Sequence, residues 1–170
     1  MTLVYSAGNR VWRVRILLWL SYAFAVWFVL WGVDLYRTYG LRPADGGVLA
    51  PEGVRLAWLA FMSLFGVGCA VGMWFYARMY IAAVWVDTAR GQVMLRTVGG
   101  PWDGRIVAPQ ADVRAINFSH GEFRTSKMRV RAPWYTLHVS GRPGSLILDA
   151  QGAVVDEPLF QQILQRKGSR

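Results

Sequence analysis

Two long apolar runs dominate the first half of the chain, and short alternating runs fill the second. Ile16 to Val33 is 18 residues without a charge, and Leu56 to Ala77 is 22. At 1.5 Å per residue each covers a hydrocarbon core of about 30 Å as a helix. A single segment can cross only as a helix, because every backbone polar group must be satisfied within it. Transmembrane helices over about 14–36 and 55–78 are expected, joined by an irregular link from Thr38 to Gly53 with Pro43, Gly46, Gly47 and Pro51. A cleaved signal peptide fits the first run badly. It is long, crowded with Trp and Phe, and followed by Asp34-Leu35-Tyr36-Arg37 rather than a small-residue cleavage site.

From Ile81 the period shortens from helical to strand-like. Strands are expected at Ile81–Val86, Gln92–Val98, Arg105–Val107, Val113–Phe118, Met128–Arg131, Trp134–Val139 and Ser145–Asp149. Asp87 to Gly91, Gly99 to Gly104 and Gly141 to Gly144 supply turn chemistry between them. After an extended Ala153 to Val155, a helix begins near Asp156, with Pro158 in its first turn and Leu159, Phe160, Ile163 and Leu164 on its apolar face. The expected fold is a two-helix membrane hairpin, residues 1–80 with the N-terminal segment, followed by a small antiparallel β-rich domain, residues 81–170. That domain has a pleckstrin-homology-like outline with a C-terminal helix.

Charge places this architecture. The chain carries +9, a balance that suits an acidic partner such as anionic lipid or an acidic protein face. No nucleic-acid-binding pattern accompanies it. Arg10, Arg13 and Arg15 precede the first span, and Arg78, Arg90 and Arg96 follow the second. Arg37, Arg42 and Arg55 in and beside the link are offset by Asp45 and Glu52. This asymmetry favours both termini in the cytoplasm.

Small residues in the second span, Gly66, Gly68, Ala70 and Gly72, allow close helix packing. The contact is either with the chain's own first helix or with a partner's. Trp12, Tyr36, Trp74, Tyr76 and Tyr80 are expected at headgroup level. Arg124, Lys127, Arg129 and Arg131 form the densest basic run, either a solvated strand edge or a patch for lipid or an acidic protein surface. Catalytic signatures are missing. His120 beside Glu122, and His138 in a strand, do not complete a site, and Cys69 reads as a small packing residue. The expectation is therefore no catalysis, no metal, no cofactor and no small-molecule substrate.

Two spans, a short link, then Ala89-Arg90-Gly91-Gln92-Val93-Met94-Leu95-Arg96-Thr97 and Leu146-Ile147-Leu148-Asp149-Ala150-Gln151-Gly152 carry a family resemblance over residues 12–165. The layout resembles the transmembrane-protein-70-like family, with transmembrane protein 223 as the nearest member. The resemblance implies an assembly factor or accessory subunit of a respiratory membrane complex in the mitochondrial inner membrane, with no catalytic residues to transfer. A Ser- and Arg-rich transit segment does not precede the first span, which favours a bacterial inner membrane. A lipid-binding module using the basic run is the alternative function, and an enzyme ranks last.

Overall fold

The computed structural model describes residues 1–41, 47–99, 104–124 and 129–165. Outside them lie link residues 42–46, the turn residues 100–103, and Lys127 and Met128 of the basic segment. The chain forms two units, residues 16–75 and residues 1–15 with 76–170.

The first unit is the helical hairpin. Helix α1 runs Arg10–Thr38 and helix α2 runs Glu52–Met79. At about 1.5 Å per residue both exceed the thickness of a hydrocarbon core. Only 11% of the apolar window of α1 and 17% of that of α2 is buried within the protein. A core helix of a soluble protein would be covered, whereas here Leu17, Trp19, Phe24, Val26, Trp27 and Leu30 of α1 and Phe61, Leu64, Val67 and Phe75 of α2 all point outward. A bilayer is the solvent that makes such a surface stable.

Contacts between the helices repeat at helical spacing. Gly32 of α1 seats against Leu59 and Met62, where a Cβ would stand 3.2 Å from the Met62 Cβ. Gly66 of α2 lies against Ala25 and Phe28, where a Cβ would fall 2.8 Å from the Phe28 Cβ. Phe28 meets Phe65 edge to face at 5.2 Å. Backbones can approach this closely only where side chains are minimal. α1 is followed by Gly40, whose φ of +96° is a left-handed conformation open to glycine, and Val48 O and Ala50 N occupy the space a side chain would need. Arg55 then pins the turn, donating to Tyr36 O (2.9 Å) and Ala50 O (3.0 Å) with its guanidinium 4.9 Å from the Tyr36 ring centroid.

The second unit is β-rich. Strands β1 (Thr2–Ser6), β2 (Ile81–Asp87), β3 (Gln92–Thr97) and β4 (Gly104–Pro109) belong to a five-stranded antiparallel sheet, completed by β10 (Ala153–Val154). Its order is β10-β1-β2-β3-β4. A second sheet, in the order β5-β8-β9, contains β5 (Val113–Ser119), β8 (Trp134–Val139) and β9 (Leu146–Asp149). β6 (Glu122–Arg124) and β7 (Arg129–Arg131) form a small hairpin, and helix α3 (Glu157–Gln165) follows the last strand.

The alternating strand pattern explains the core. Val93, Leu95 and Thr97 of β3 are buried while Gln92, Met94 and Arg96 are not. Val84, Val86, Val113, Leu137, Leu146 and Leu148 complete the interior. α3 closes it with Phe160 and Ile163. Phe160 stacks on Tyr5 at 5.9 Å and meets Tyr135 edge to face at 6.3 Å. Its start is capped by Asp156, which accepts from the Leu159 N–H at 3.1 Å.

The membrane hairpin and the antiparallel domain with its C-terminal helix stand as expected from sequence. The N-terminal strand β1 and its pairing with β2 and β10 are additional. β1 aligns Leu3 with Trp85, Tyr5 with Val84 and Tyr5 with Val154. The hairpin is thus an excursion made between two neighbouring strands of one sheet.

Candidate functional site

Asp149, at the end of β9, gathers three groups from distant parts of the sequence and one from its own turn within the β-rich unit. Tyr5 on β1 donates its hydroxyl to Asp149 O at 2.7 Å. Tyr80, one residue before β2, donates to Asp149 Oδ2 at 3.3 Å. Arg10, which opens α1, brings its Nε to 3.4 Å from the same oxygen. Gln151 N–H donates to Asp149 Oδ1 at 2.8 Å, and Arg10 reaches on to the Gln151 side chain at 2.9 Å. Gly152 completes the arrangement without a side chain, because the Tyr5 phenol occupies the space a Cβ would take. The Leu146–Gly152 segment, singled out on sequence, is therefore the clamp that holds the N-terminal strand.

Beside this hub is a cavity of about 210 Å³, lined by Tyr76, Tyr80, Ala132, Pro133, Trp134, Ile147 and Asp149. Its wall is largely apolar and aromatic, with Asp149 as the one acid among the lining residues. That acid already bonds to Arg10, Tyr80 and the Gln151 backbone.

Burial shifts the titration of the phenols. It raises Tyr5 well above the ordinary tyrosine value, and the neighbouring Tyr80 and the Asp149 charge act in the same direction. Burial is also the largest cause for Tyr80, reinforced by the Asp149 charge and hydrogen bond, while Arg10 opposes both shifts. The folded state thus holds phenolic protons that an unfolded chain releases near its ordinary tyrosine pKa. A folded value above the unfolded one means the stabilisation is complete below about pH 10 and is lost as pH rises through the raised values. Thermal melts of the full chain are expected to be flat with respect to these groups from pH 8 to about pH 9.5 and to fall above about pH 10. Tyr5→Phe should flatten the alkaline fall, and an unchanged fall would remove this hub as its source.

The small residues of α2 divide between two faces. Gly66 and Ala70 are on the buried face of the hairpin, whereas Gly68 and Gly72 have nothing within 4 Å of the Cβ each lacks. Cys69 beside them is exposed and free. Of the aromatic residues expected at headgroup level, Trp12 is 61% exposed and Tyr76 is 37% exposed. Tyr36 donates to Glu52 Oε1 at 3.2 Å across the ends of the link, and Trp74 packs edge to face on Phe75 at 4.8 Å. Tyr80 differs from the expectation. It is only 4% exposed, because its phenol turns inward to Asp149.

In the basic run the β6–β7 ladder sets Arg124 opposite Arg129 and Glu122 opposite Arg131, with Lys127 outside the described residues. His120 packs edge to face on Phe118 at 4.8 Å, and His138 sits opposite Arg114 in the β5–β8 ladder. Among the described residues no group of three or more His, Cys, Asp or Glu is placed to hold a metal. In the sequence alone Arg10 is a topology signal and Asp149 a strand end. The pattern Asp-x-Gln-Gly after an alternating strand was the available signal for a clamp.

The model of the TMEM70/TMEM186/TMEM223 protein family matches residues 16–165, which takes in both long helices and the β-rich region through α3. No curated protein and no solved structure matches.

Proposed function

Because the chain belongs to the TMEM70/TMEM186/TMEM223 protein family, we propose that it is a non-catalytic assembly factor or accessory subunit of an inner-membrane protein complex, with respiratory subunits as its partners. The observation that carries this reading is the division of the α2 faces. The hairpin satisfies its own packing through Gly32, Gly66 and Ala70, and leaves Gly68 and Gly72 facing outward. A second close-approach surface then remains for a helix of another subunit. The β-rich unit adds a rigid platform, and its one cavity acid next to Tyr80 is tied up in structural bonds rather than poised for proton transfer.

Pairing of β1 with β2 supports termini on one side of the membrane, since the two strands precede and follow the two spans. The arginine placement supports the cytoplasm as that side, and we favour a bacterial inner membrane, with the mitochondrial inner membrane as the alternative. The hairpin would hold a partner's membrane segment while the β-rich unit engages its extramembrane part.

A tagged full-length chain, captured from native membranes in mild detergent, tests the reading by mass spectrometry. Stoichiometric recovery of integral membrane subunits is the expected result. Recovery of lipid with no stoichiometric protein would overturn it in favour of an anionic-lipid module acting through Arg124, Lys127, Arg129 and Arg131.

A further inference from the structure

On the β-rich unit, away from Asp149, a second cavity of about 240 Å³ is lined by Trp85, Met94, Arg96, Gly104 and Arg105. Three adjacent strands build it. Arg96 of β3 stands directly opposite Arg105 of β4, and the next outward-facing row sets Trp85, Met94 and Val107 side by side. Leu3 of β1 extends that row across a fourth strand. Both arginines are exposed, Val107 is 49% exposed, and Trp85 and Met94 are half-buried. An anion seated between two guanidinium groups accepts paired charged hydrogen bonds from both. The apolar row alongside would suit a hydrocarbon chain rather than water.

Chain length limits how far this site can lie from the end of α2. Arg96 pairs with Ala83, and Ala83 is four residues beyond Met79, the last residue of α2. At no more than about 3.6 Å per residue, plus one strand spacing, Arg96 lies within roughly 20 Å of that helix end. Headgroup phosphates of the adjoining leaflet are found in this zone.

We propose that Arg96 and Arg105 bind the phosphate of one anionic phospholipid, with Trp85, Met94 and Val107 receiving the first part of its acyl region. This site is distinct from the basic β6–β7 segment and does not depend on a protein partner. A free phosphate shares the headgroup chemistry, and the apolar row selects the lipid.

The test uses the full-length chain in detergent and native mass spectrometry, with phosphatidylglycerol, phosphatidylcholine and inorganic phosphate as separate probes. Wild type is expected to retain one phosphatidylglycerol that Arg96→Gln/Arg105→Gln binds at least about tenfold more weakly. Arg90→Gln/Arg114→Gln, which removes the same charge from other exposed positions, should leave that lipid bound. Phosphatidylcholine and millimolar inorganic phosphate should neither replace nor displace it. Equal loss in both double variants would overturn the site in favour of diffuse attraction. Displacement by inorganic phosphate would overturn the lipid assignment. Arg96→Lys/Arg105→Lys covers the case in which the glutamine variant misfolds, because it keeps the charge but not the paired geometry. It should weaken retention, and unchanged retention would also overturn the proposal.

Discussion

Gly68→Leu/Gly72→Leu is expected to abolish recovery of the partner complex while leaving the hairpin folded, and Gly66→Leu to disturb the packing of the hairpin itself. Each substitution inserts four heavy atoms into α2, eight in the double variant and four at Gly66. The outcome differs because the faces differ. At Gly66 the first added carbon already meets Phe28 and the Ala25 backbone, so a leucine must prise the two helices apart. Overpacking of this kind costs about 1–3 kcal/mol and more where backbone is the obstacle. At Gly68 and Gly72 the hairpin offers no obstacle. Only a helix from outside would meet the new side chains, and a loss of about 1.4 kcal/mol there weakens capture tenfold. Cys69 supplies the readout as the sole cysteine of the chain. A membrane-permeant maleimide should label it poorly in the native complex and readily in the double-leucine variant. Labelling that is equal and complete in both would remove this face from the proposed interface.

Asp149→Ala should lower the melting temperature of the β-rich unit by roughly 10–20 °C. The carboxylate is 21% exposed at its side chain and holds Tyr80, Arg10 and a backbone N–H together. Hydrogen bonds to charged groups contribute about 1.5–3 kcal/mol each, and shared partners make the total less than additive. A net loss of about 2–3 kcal/mol corresponds to that shift for a unit of this size. Arg10→Ala should cost far less, about 1 kcal/mol or below, because its side chain is 31% exposed and water screens the pair. A double-mutant cycle on tryptophan-fluorescence melts would then report coupling between the two positions. Melting of Asp149→Ala within about 2 °C of wild type would show that the carboxylate's bonds contribute little to the stability of this unit.

What sequence could reveal followed the range of the interactions. Apolar runs of 18 and 22 residues identify spans without any knowledge of partners. Alternation in Gln92 to Thr97 likewise contains its own inside and outside. The orientation of α2 was a different matter. Its glycines offer two overlapping small-residue pairs, 66 with 70 and 68 with 72, and Phe28 on the other helix decides which one faces inward. β1 is a five-residue segment whose identity as a strand depends on Val84 and Val154, far along the chain. The Asp149 hub is hidden for the same reason. Its bonds to Tyr5 and Tyr80 span 144 and 69 positions, and no local pattern contains both ends.

The position of β1 also orders events during synthesis. Its residues leave the ribosome before those of the strand beside it, β2, which begins roughly seventy-five residues later, after both apolar helices have been made. At about 5–20 residues per second the first strand waits several seconds for its neighbour. Both helices must enter the bilayer in that interval and return the chain to the starting side. A nascent chain that inserts one helix only would strand β1 across the lipid from β2, leaving the β2 edge unpaired and adhesive. Pairing of this one strand with β2 is therefore open only to chains that return to the side of the bilayer from which they started.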